Sequence, residues 1–520
     1  MKLGVFLILG LSLGLTLGAT ASQADTGTQD LSRARALYSQ GDFFLSARYA
    51  FGALDSGPET RAEAYSWVTL SLVRAGMYNA ASYFFIKTLE TDNRNAIRRV
   101  LTDSELLLEY VGADVLRKYL VAHSSLDDYN APNRSALLYA LGKEALLAGD
   151  LGHAMNYLSG VRKSSWLWPY SLELLGTAYA IQGEGSRAID AFGDCADNVG
   201  RLTDDVDSST ERYRQMKSEA EDLTARCQAG KARTLYQLNH FDEADQAYDR
   251  IQKSSIVWPD ILFEQAWNSF ARGEYNRSLG KLVSYKSPAL SFVFNPEVDV
   301  LRAQSYLALC YYSDASEVIN EFNSKYAPVG EEVKRFVEEH ANDPGAFYSK
   351  GKEALSEPIS SDRGFNRLLN RFVRGPYMAG LIRSERQVDI EAQMVRRFER
   401  VQQRDAGQGL APFLSQVLSW RRESIKKLGG LFVKNSLLDY HSELISNYEK
   451  MSFINLEMLK RAKEQLIYKH TAASGRKVGT IMPKRRDYQY YWSFNGEFWS
   501  DELGDYVFGL QSQCNGSGTS

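Results

Sequence analysis

A five-residue beat constrains this chain more than any other feature: a turn-forming residue is followed five positions later by a small one, about every 34 residues. It runs Gly41 to Ser46, Gly76 to Ala81, Gly149 to Ala154, Gly183 to Ala188, Asn239 to Ala244, Gly273 to Ser278 and Cys310 to Ala315. Gly149 and Gly183 are 34 residues apart, as are Asn239 and Gly273, and Gly41 and Gly76 are 35 apart. The wider gap of 73 between Gly76 and Gly149 leaves room for one eroded copy near Gly112. Helix packing is the chemistry that needs such a beat. The turn residue closes one helix, and the small residue lets the next lie close against it. Seven registers of one beat specify a repeat array, in which each unit buries its apolar face against its neighbours.

A longer echo points to internal duplication. Lys163-Ser164-Ser165 with Trp168-Pro169 returns as Lys253-Ser254-Ser255 with Trp258-Pro259, an offset of 90 residues. Both prolines suit helix starts, where a missing N–H costs nothing, and the aromatic before each is expected to pack between repeats. Leu175, Gly176, Tyr179, Gly183, Ala188 and Phe192 together resemble the tetratricopeptide repeat (TPR) signature, whose period is 34 residues. Gly142 with Gly149 and Ala154, Ala232 with Ala244 and Tyr248, Ala266 with Tyr275, and Ala303 with Ala315 match it less fully. The resemblance implies an all-α fold, a TPR helix-turn-helix solenoid followed by a helical C-terminal domain and a short aromatic tail. We expect the solenoid over residues 31–328, with seven to eight repeats and a helical arm inserted at 196–226.

The first residues read as a secretory signal, residues 1–21: Lys2 supplies the positive end, Leu3 to Leu17 the apolar run, and Ala19-Thr20-Ala21 a small-x-small cleavage site. No cysteine follows to make a lipoprotein, and no later stretch is apolar for the roughly 18 residues of a membrane span. Periplasmic or other export is therefore expected, with no span after cleavage. Export would place Cys195, Cys227, Cys310 and Cys514 in an oxidising compartment. Cys195 and Cys227 bracket the acidic segment Asp204 to Asp222. If that segment folds back as a hairpin arm, the two thiols meet at its base, so a Cys195–Cys227 disulfide is expected. Cys310, in the last turn, reads as a free and partly buried thiol.

Beyond Tyr326 the beat stops. A helical domain is expected over 329–475, with breaks at Asn342-Asp343-Pro344, Pro358, Gly375-Pro376, Gly407 to Pro412 and Gly429-Gly430. Gln387 to Arg404 and Leu437 to Tyr468 carry apolar residues at helical spacing, which predicts an antiparallel helical hairpin or short coiled coil. The aromatic tail, 476–512, crowds Tyr488, Tyr490, Tyr491, Trp492, Phe494, Phe498, Trp499, Tyr506 and Phe508 around Asn495-Gly496, a hairpin-turn signal. So many rings suit a staple onto neighbouring elements better than an exposed patch. Residues 513–520 are expected to be disordered.

The charge balance, a net −3 with a pI near 6.2, argues against a nucleic-acid partner, which needs a basic stripe. Metal and cofactor sites are not expected: no CxxC exists and the six histidines are scattered. HExxH, a P-loop and GxGxxG are absent. The SxxK matches at Ser278, Ser424 and Ser474 lack their companion motifs. The expectation is therefore no enzyme. A TPR array offers instead a concave face lined by its first helices. That face is expected to include Tyr139, Lys143, Glu173, Thr177, Arg226, Arg233, Tyr236, Asp260, Phe263, Trp267 and Phe270. Aromatics supply contact area and Arg or Lys orient carboxylates, a mixture that suits a protein or peptide partner. The repeated Lys and Asn set of the chaperone-binding TPR clamp is absent, so that specificity is not implied.

Several phrases narrow the resemblance. Lys253 to Pro259, Ala266 to Phe270, Leu279 to Leu282, Asn295 to Ala303, Trp492 to Trp499 and Asp501 to Tyr506 are similar to those of secreted TPR proteins of predatory and gliding Gram-negative bacteria. Some of that group are associated with envelope-spanning gliding machinery. The implied function is a non-catalytic periplasmic scaffold for envelope proteins or peptides. The alternatives are a peptidoglycan- or glycan-binding module that uses the aromatic tail, and an accessory or cryptic cell-wall hydrolase.

Overall fold

All seven turn positions of the beat adopt a left-handed backbone in the computed structural model of this chain, which describes residues 13–204, 206–356, 364–401, 409–469 and 496–514. The glycines have φ of 84° (Gly41), 76° (Gly76), 78° (Gly149), 84° (Gly183) and 77° (Gly273). Asn239 (62°) and Cys310 (61°) are the only non-glycine residues with positive φ among the described residues. In each turn the residue after the beat position donates its N–H to the carbonyl five residues before its own position, as in Asp42 to Leu37 (3.0 Å), Glu184 to Tyr179 (2.9 Å) and Tyr311 to Tyr306 (2.9 Å). This is the closure of a helix C-terminus through one left-handed residue. The small residues five positions on, Ser46, Ala81, Ala154, Ala188, Ala244, Ser278 and Ala315, are all 0 % exposed. The beat is therefore a close-packing code: a Cβ on Gly142 of the preceding helix would lie 2.5 Å from Leu158 Cγ.

The described residues form twenty-one α-helices and no strand, an all-α solenoid of paired helices followed by longer ones. Near Gly112 the pair Ser104–Val111 and Ala113–His123 marks the eroded copy. Gly112 is not left-handed helical there (ψ 136°), and Arg117 stands where the small residue would be, paired with Glu144 at 2.8 Å. Helix Leu13–Gln40 runs through the cleavage point expected at 19–21, and residues 1–12 lie outside the described set. Among the described residues no helix is long and apolar enough to cross a membrane.

The chain divides into two compact units, Met1–Ala178 with Gly380–Ile425, and Tyr179–Ala379 with Lys426–Ser520. In the first, the N-terminal repeats pack against an antiparallel hairpin built from parts of helices Pro376–Val401 and Leu410–Lys469, in which Arg421 meets Ser384 (3.0 Å) and Arg422 meets Asp389 at 2.5 Å. Phe413 sits among Phe51, Tyr83 and Phe84 at 5.1–5.7 Å. Glu391, 0 % exposed, caps helix Tyr78–Leu89 from outside the repeat. Its carboxylate accepts from the N–H groups of Asn79 and Ala80 (2.9 Å each) and from the Asn79 carboxamide (3.0 Å). An anion at a helix N-terminus meets both unpaired donors and the helix dipole. Burial still pushes the Glu391 carboxyl above its usual range, although those donors pull it down.

In the second unit, several expectations need correcting. The acidic segment does not form a separate hairpin arm over 196–226. Thr210 caps an uninterrupted helix, Glu211–Gln237, which is also the first helix of the Asn239 repeat and packs against Gly185–Asn198. Gly230, the one glycine inside it, marks a close approach to Phe192, and no residue there breaks the helix. Cys195 and Cys227, both 0 % exposed, are joined across this pair with Cα atoms 6.1 Å apart. Cys310 is not free: it bonds Cys514, which ties down the chain end expected to be disordered from residue 513. Gly429-Gly430 does not break helix Leu410–Lys469, because a Cβ on Gly430 would lie 1.8 Å from the Pro344 carbonyl oxygen and the glycine serves that contact. Helix Tyr312–Glu339 passes through the boundary expected at 328/329. The break at 358 and the first two residues of the break at 407–412 fall outside the described residues, as do the tail's rings from Tyr488 to Phe494, and helix Leu410–Lys469 starts within the 407–412 break. From Gly496 the tail forms turns and one isolated bridge at Leu510, not paired strands.

Candidate protein-binding face

Of the residues expected on the concave face, those in the first unit serve mainly as structure. Tyr139 is buried on helix Arg134–Leu147. Lys143 on the same helix pairs with Asp114 at 2.9 Å. Thr177 donates its hydroxyl to the carbonyl of Glu173 one turn back (2.9 Å), and both are half-buried.

The second unit separates packing residues from a charged face. Phe263, Trp267, Phe270 and Tyr275 form an edge-to-face ladder with centroids 6.5, 5.5 and 5.2 Å apart. Phe263 belongs to the core cluster, and Trp267 and Phe270 pack against it. Tyr236 packs edge-on to Phe241 (5.6 Å) and onto the neighbouring core. Arg226 is half-buried on helix Glu211–Gln237. The structure does bring Arg233 and Asp260 to one place. Arg233 forks onto Glu264, with Nε at 2.9 Å and Nη2 at 2.6 Å, and the Tyr248 hydroxyl donates to the same carboxylate at 3.0 Å. The bond to Glu264 is the main reason the Arg233 guanidinium is held even further toward its charged form.

Asp260 lies one helical turn before Glu264 and is exposed. Desolvation raises its carboxyl pKa; Arg371 and Arg233 oppose this, while Glu264 and Glu443 reinforce it. Arg371 and Glu443 come from helices Gly364–Val373 and Leu410–Lys469 and pair with each other at 3.4 Å. Tyr285 donates its hydroxyl to the Pro259 carbonyl just before Asp260. Tyr285 also lines a cavity of about 490 Å³ with Val293, Asp299, Arg302 and Lys325. In its wall Asp299 accepts from Arg302 (2.6 Å) and from Tyr326 (3.0 Å), while half-exposed Lys325 stands 3.8 Å away. Burial lowers the Lys325 ammonium pKa, and Asp299 opposes it.

Sequence reasoning missed Glu264, although its place four residues after Asp260 signalled a shared helix face. It also missed Arg371 and Glu443, for which no local signal exists, because only the tertiary fold brings them there. The arrangement can meet a charged segment through the exposed carboxylate of Asp260, while Lys325 is engaged by Asp299 and lies over the Tyr326 ring. Among the described residues no cluster of His, Cys, Asp and Glu could hold a metal ion.

The repeat geometry defines an all-α solenoid protein of tetratricopeptide type. No family model matches the chain, and no curated protein does. Solved structures similar to it include the apo form of RapI (12 % identity, 70 % of this chain, 98 % of that one, TM-score 0.35). They also include the TPR domain of P58(IPK) (14 %, 77 % and 98 %, TM-score 0.19) and yeast Tom70 (12 %, 88 % and 100 %, TM-score 0.18).

Proposed function

We propose that this protein is an exported, non-catalytic scaffold that binds envelope proteins or peptides through the first-helix face of its second unit. The observation that carries the reading is exposed Asp260, one helical turn before Glu264 on a face that also carries the charge pairs Arg233–Glu264 and Arg371–Glu443. Those pairs engage the neighbouring charged groups of the face with one another. Export is supported by the apolar leader and by the pairing of all four cysteines in disulfides. Phe498 and Tyr506 of the tail pack onto the core, which supports a staple role for those two rings, while Trp499 stays exposed.

The test is capture of partners from envelope extract, followed by affinity measurement with the purified partner. Asp260→Lys should weaken binding at least about tenfold, the scale of one charge pair at an interface. Asp190→Lys, at an exposed position elsewhere, should leave it unchanged. Equal binding by both variants would sink this assignment. Trp267→Ala and Tyr236→Ala are unsuitable probes, since both side chains pack the solenoid.

A further inference from the structure

The segment Gly496–Cys514 lies on the Gly273 and Cys310 repeats as a peptide lies in a receptor groove. Leu503 enters the core cluster with Trp258 and Leu262, and Phe498 and Tyr506 pack against it. Asn276 then grips the main chain at three points. Its carbonyl accepts from the Phe508 N–H, its carboxamide nitrogen donates to the Leu510 carbonyl, and its carboxamide oxygen accepts from the Leu510 N–H, each at 3.0 Å. Ser284 accepts from the Gly504 N–H (2.9 Å), and Tyr311 donates to the Gln511 carbonyl (2.9 Å). Main-chain recognition with pockets for a few anchors is how receptors hold extended peptides. The groove is also shaped for a backbone: a Cβ on Gly280 would lie 1.8 Å from the Tyr506 carbonyl oxygen.

The end of the segment is held by the Cys310–Cys514 bond. Cys514 is half-buried, whereas both partners of Cys195–Cys227 are 0 % exposed, so a reductant reaches the first bond before the second.

We propose that this face is a groove for an extended segment of a partner protein, with leucine and tyrosine anchors around a Gly-Asp pair, and that Gly496–Cys514 is its tethered competing occupant, latched by Cys310–Cys514. A dithiol opens the latch. Its thiolate attacks Sγ of Cys514, and Cys310 leaves as a thiolate and takes a proton. The second dithiol sulfur then displaces Cys514, which also takes a proton. The protein gains two electrons and two protons, and the dithiol departs as a cyclic disulfide. This groove is not the Asp260 face, so the two assignments fail separately.

The probe is a fluorescein-labelled peptide of residues 496–513, titrated by anisotropy onto three forms of the full chain: oxidised, dithiol-treated, and the tail variant Leu503→Asp/Tyr506→Ser/Cys514→Ser. A tethered competitor costs a free ligand about 100-fold in affinity. The tail variant should therefore bind about 100-fold more tightly than the oxidised chain, with the dithiol-treated chain between them. Adding Asn276→Ala to the tail variant should abolish binding. Equal affinity in all forms, or no binding to a tail variant with wild-type circular dichroism, overturns the proposal. If that variant does not fold, hydrogen exchange of the wild-type chain decides. The amides of Phe508, Leu510 and Gln513 should exchange faster after dithiol treatment with Cys195–Cys227 intact, and unchanged exchange refutes the latch.

Discussion

The duplicated block allows one stretch of sequence to be compared in two settings. Both copies fold the same turn: Ser165 N–H to the Arg162 carbonyl (3.0 Å) and Trp168 N–H to the Ser165 carbonyl (3.1 Å) return as Ser255 to Gln252 (2.9 Å) and Trp258 to Ser255 (3.1 Å). Both tryptophans are buried. The lysines differ. Lys163 lies over the ring of Trp168, 5.5 Å from its centroid, whereas Lys253 donates to the Asp501 carbonyl (2.8 Å) and approaches Asp505 (3.3 Å). Ninety residues apart in the same register, Ser186 and Asp190 correspond to Asn276 and Gly280. Those two exchanges supply the carboxamide and the cleared surface that the second copy uses to hold the tail. Local sequence thus dictates the turn, and two positions further on decide what the copy carries.

The sharpest way to break the comparison is to truncate the tryptophans. Trp168→Ala and Trp258→Ala should each cost about 3–5 kcal/mol in the hydrogen-exchange stability of their own repeat, the usual range for a large buried ring. Only Trp258→Ala should also expose the amides of residues 503–511. Loss of tail protection in neither variant would show that the tail does not depend on the second copy. Gly280→Ala comes next. In an ordinary helix interior this change gains about 1 kcal/mol; here the new Cβ meets the Tyr506 carbonyl, and a net loss of about 1–3 kcal/mol is expected from overpacking. Asp190→Ala, at the exposed counterpart, should stay within about 0.5 kcal/mol. A stabilised Gly280→Ala protein would mean that the close approach to the tail is not made.

The repeat was legible because its signal is local: a left-handed turn needs Gly, Asn or a rare exception such as Cys310, and a close-packed helix needs a small residue five positions later. The candidate face was legible only in part. Arg233 and Asp260 could be placed by counting along first helices, but Trp267 and Tyr236 look the same in sequence whether they face a ligand or the next repeat. Glycines were ambiguous for the same reason. Gly273 bends the chain and Gly430 merely admits the Pro344 carbonyl, and only the fold separates the two uses. Glu391 on Asn79 and Cys514 on Cys310 join positions hundreds of residues apart, where no spacing rule reaches.

The finest test concerns the two lysines, whose different partners predict different responses to salt. A cation over a ring depends on the ring quadrupole at short range, and Lys163→Met should cost about 0.5–1 kcal/mol at any ionic strength. Lys253 divides its donors between a neutral carbonyl and the carboxylate of Asp505, both at an exposed site, so the charged part is worth less than about 1 kcal/mol and weakens as the screening length shrinks. Asp505→Asn removes that part alone. Tail exchange in Asp505→Asn should therefore differ from wild type at low salt and converge with it near 1 M. Lys253→Met should remain faster than wild type throughout, because it also loses the bond to the Asp501 carbonyl. Convergence of both variants at high salt would mean that the carbonyl contact contributes nothing and that charge alone distinguishes the second copy's lysine from the first's.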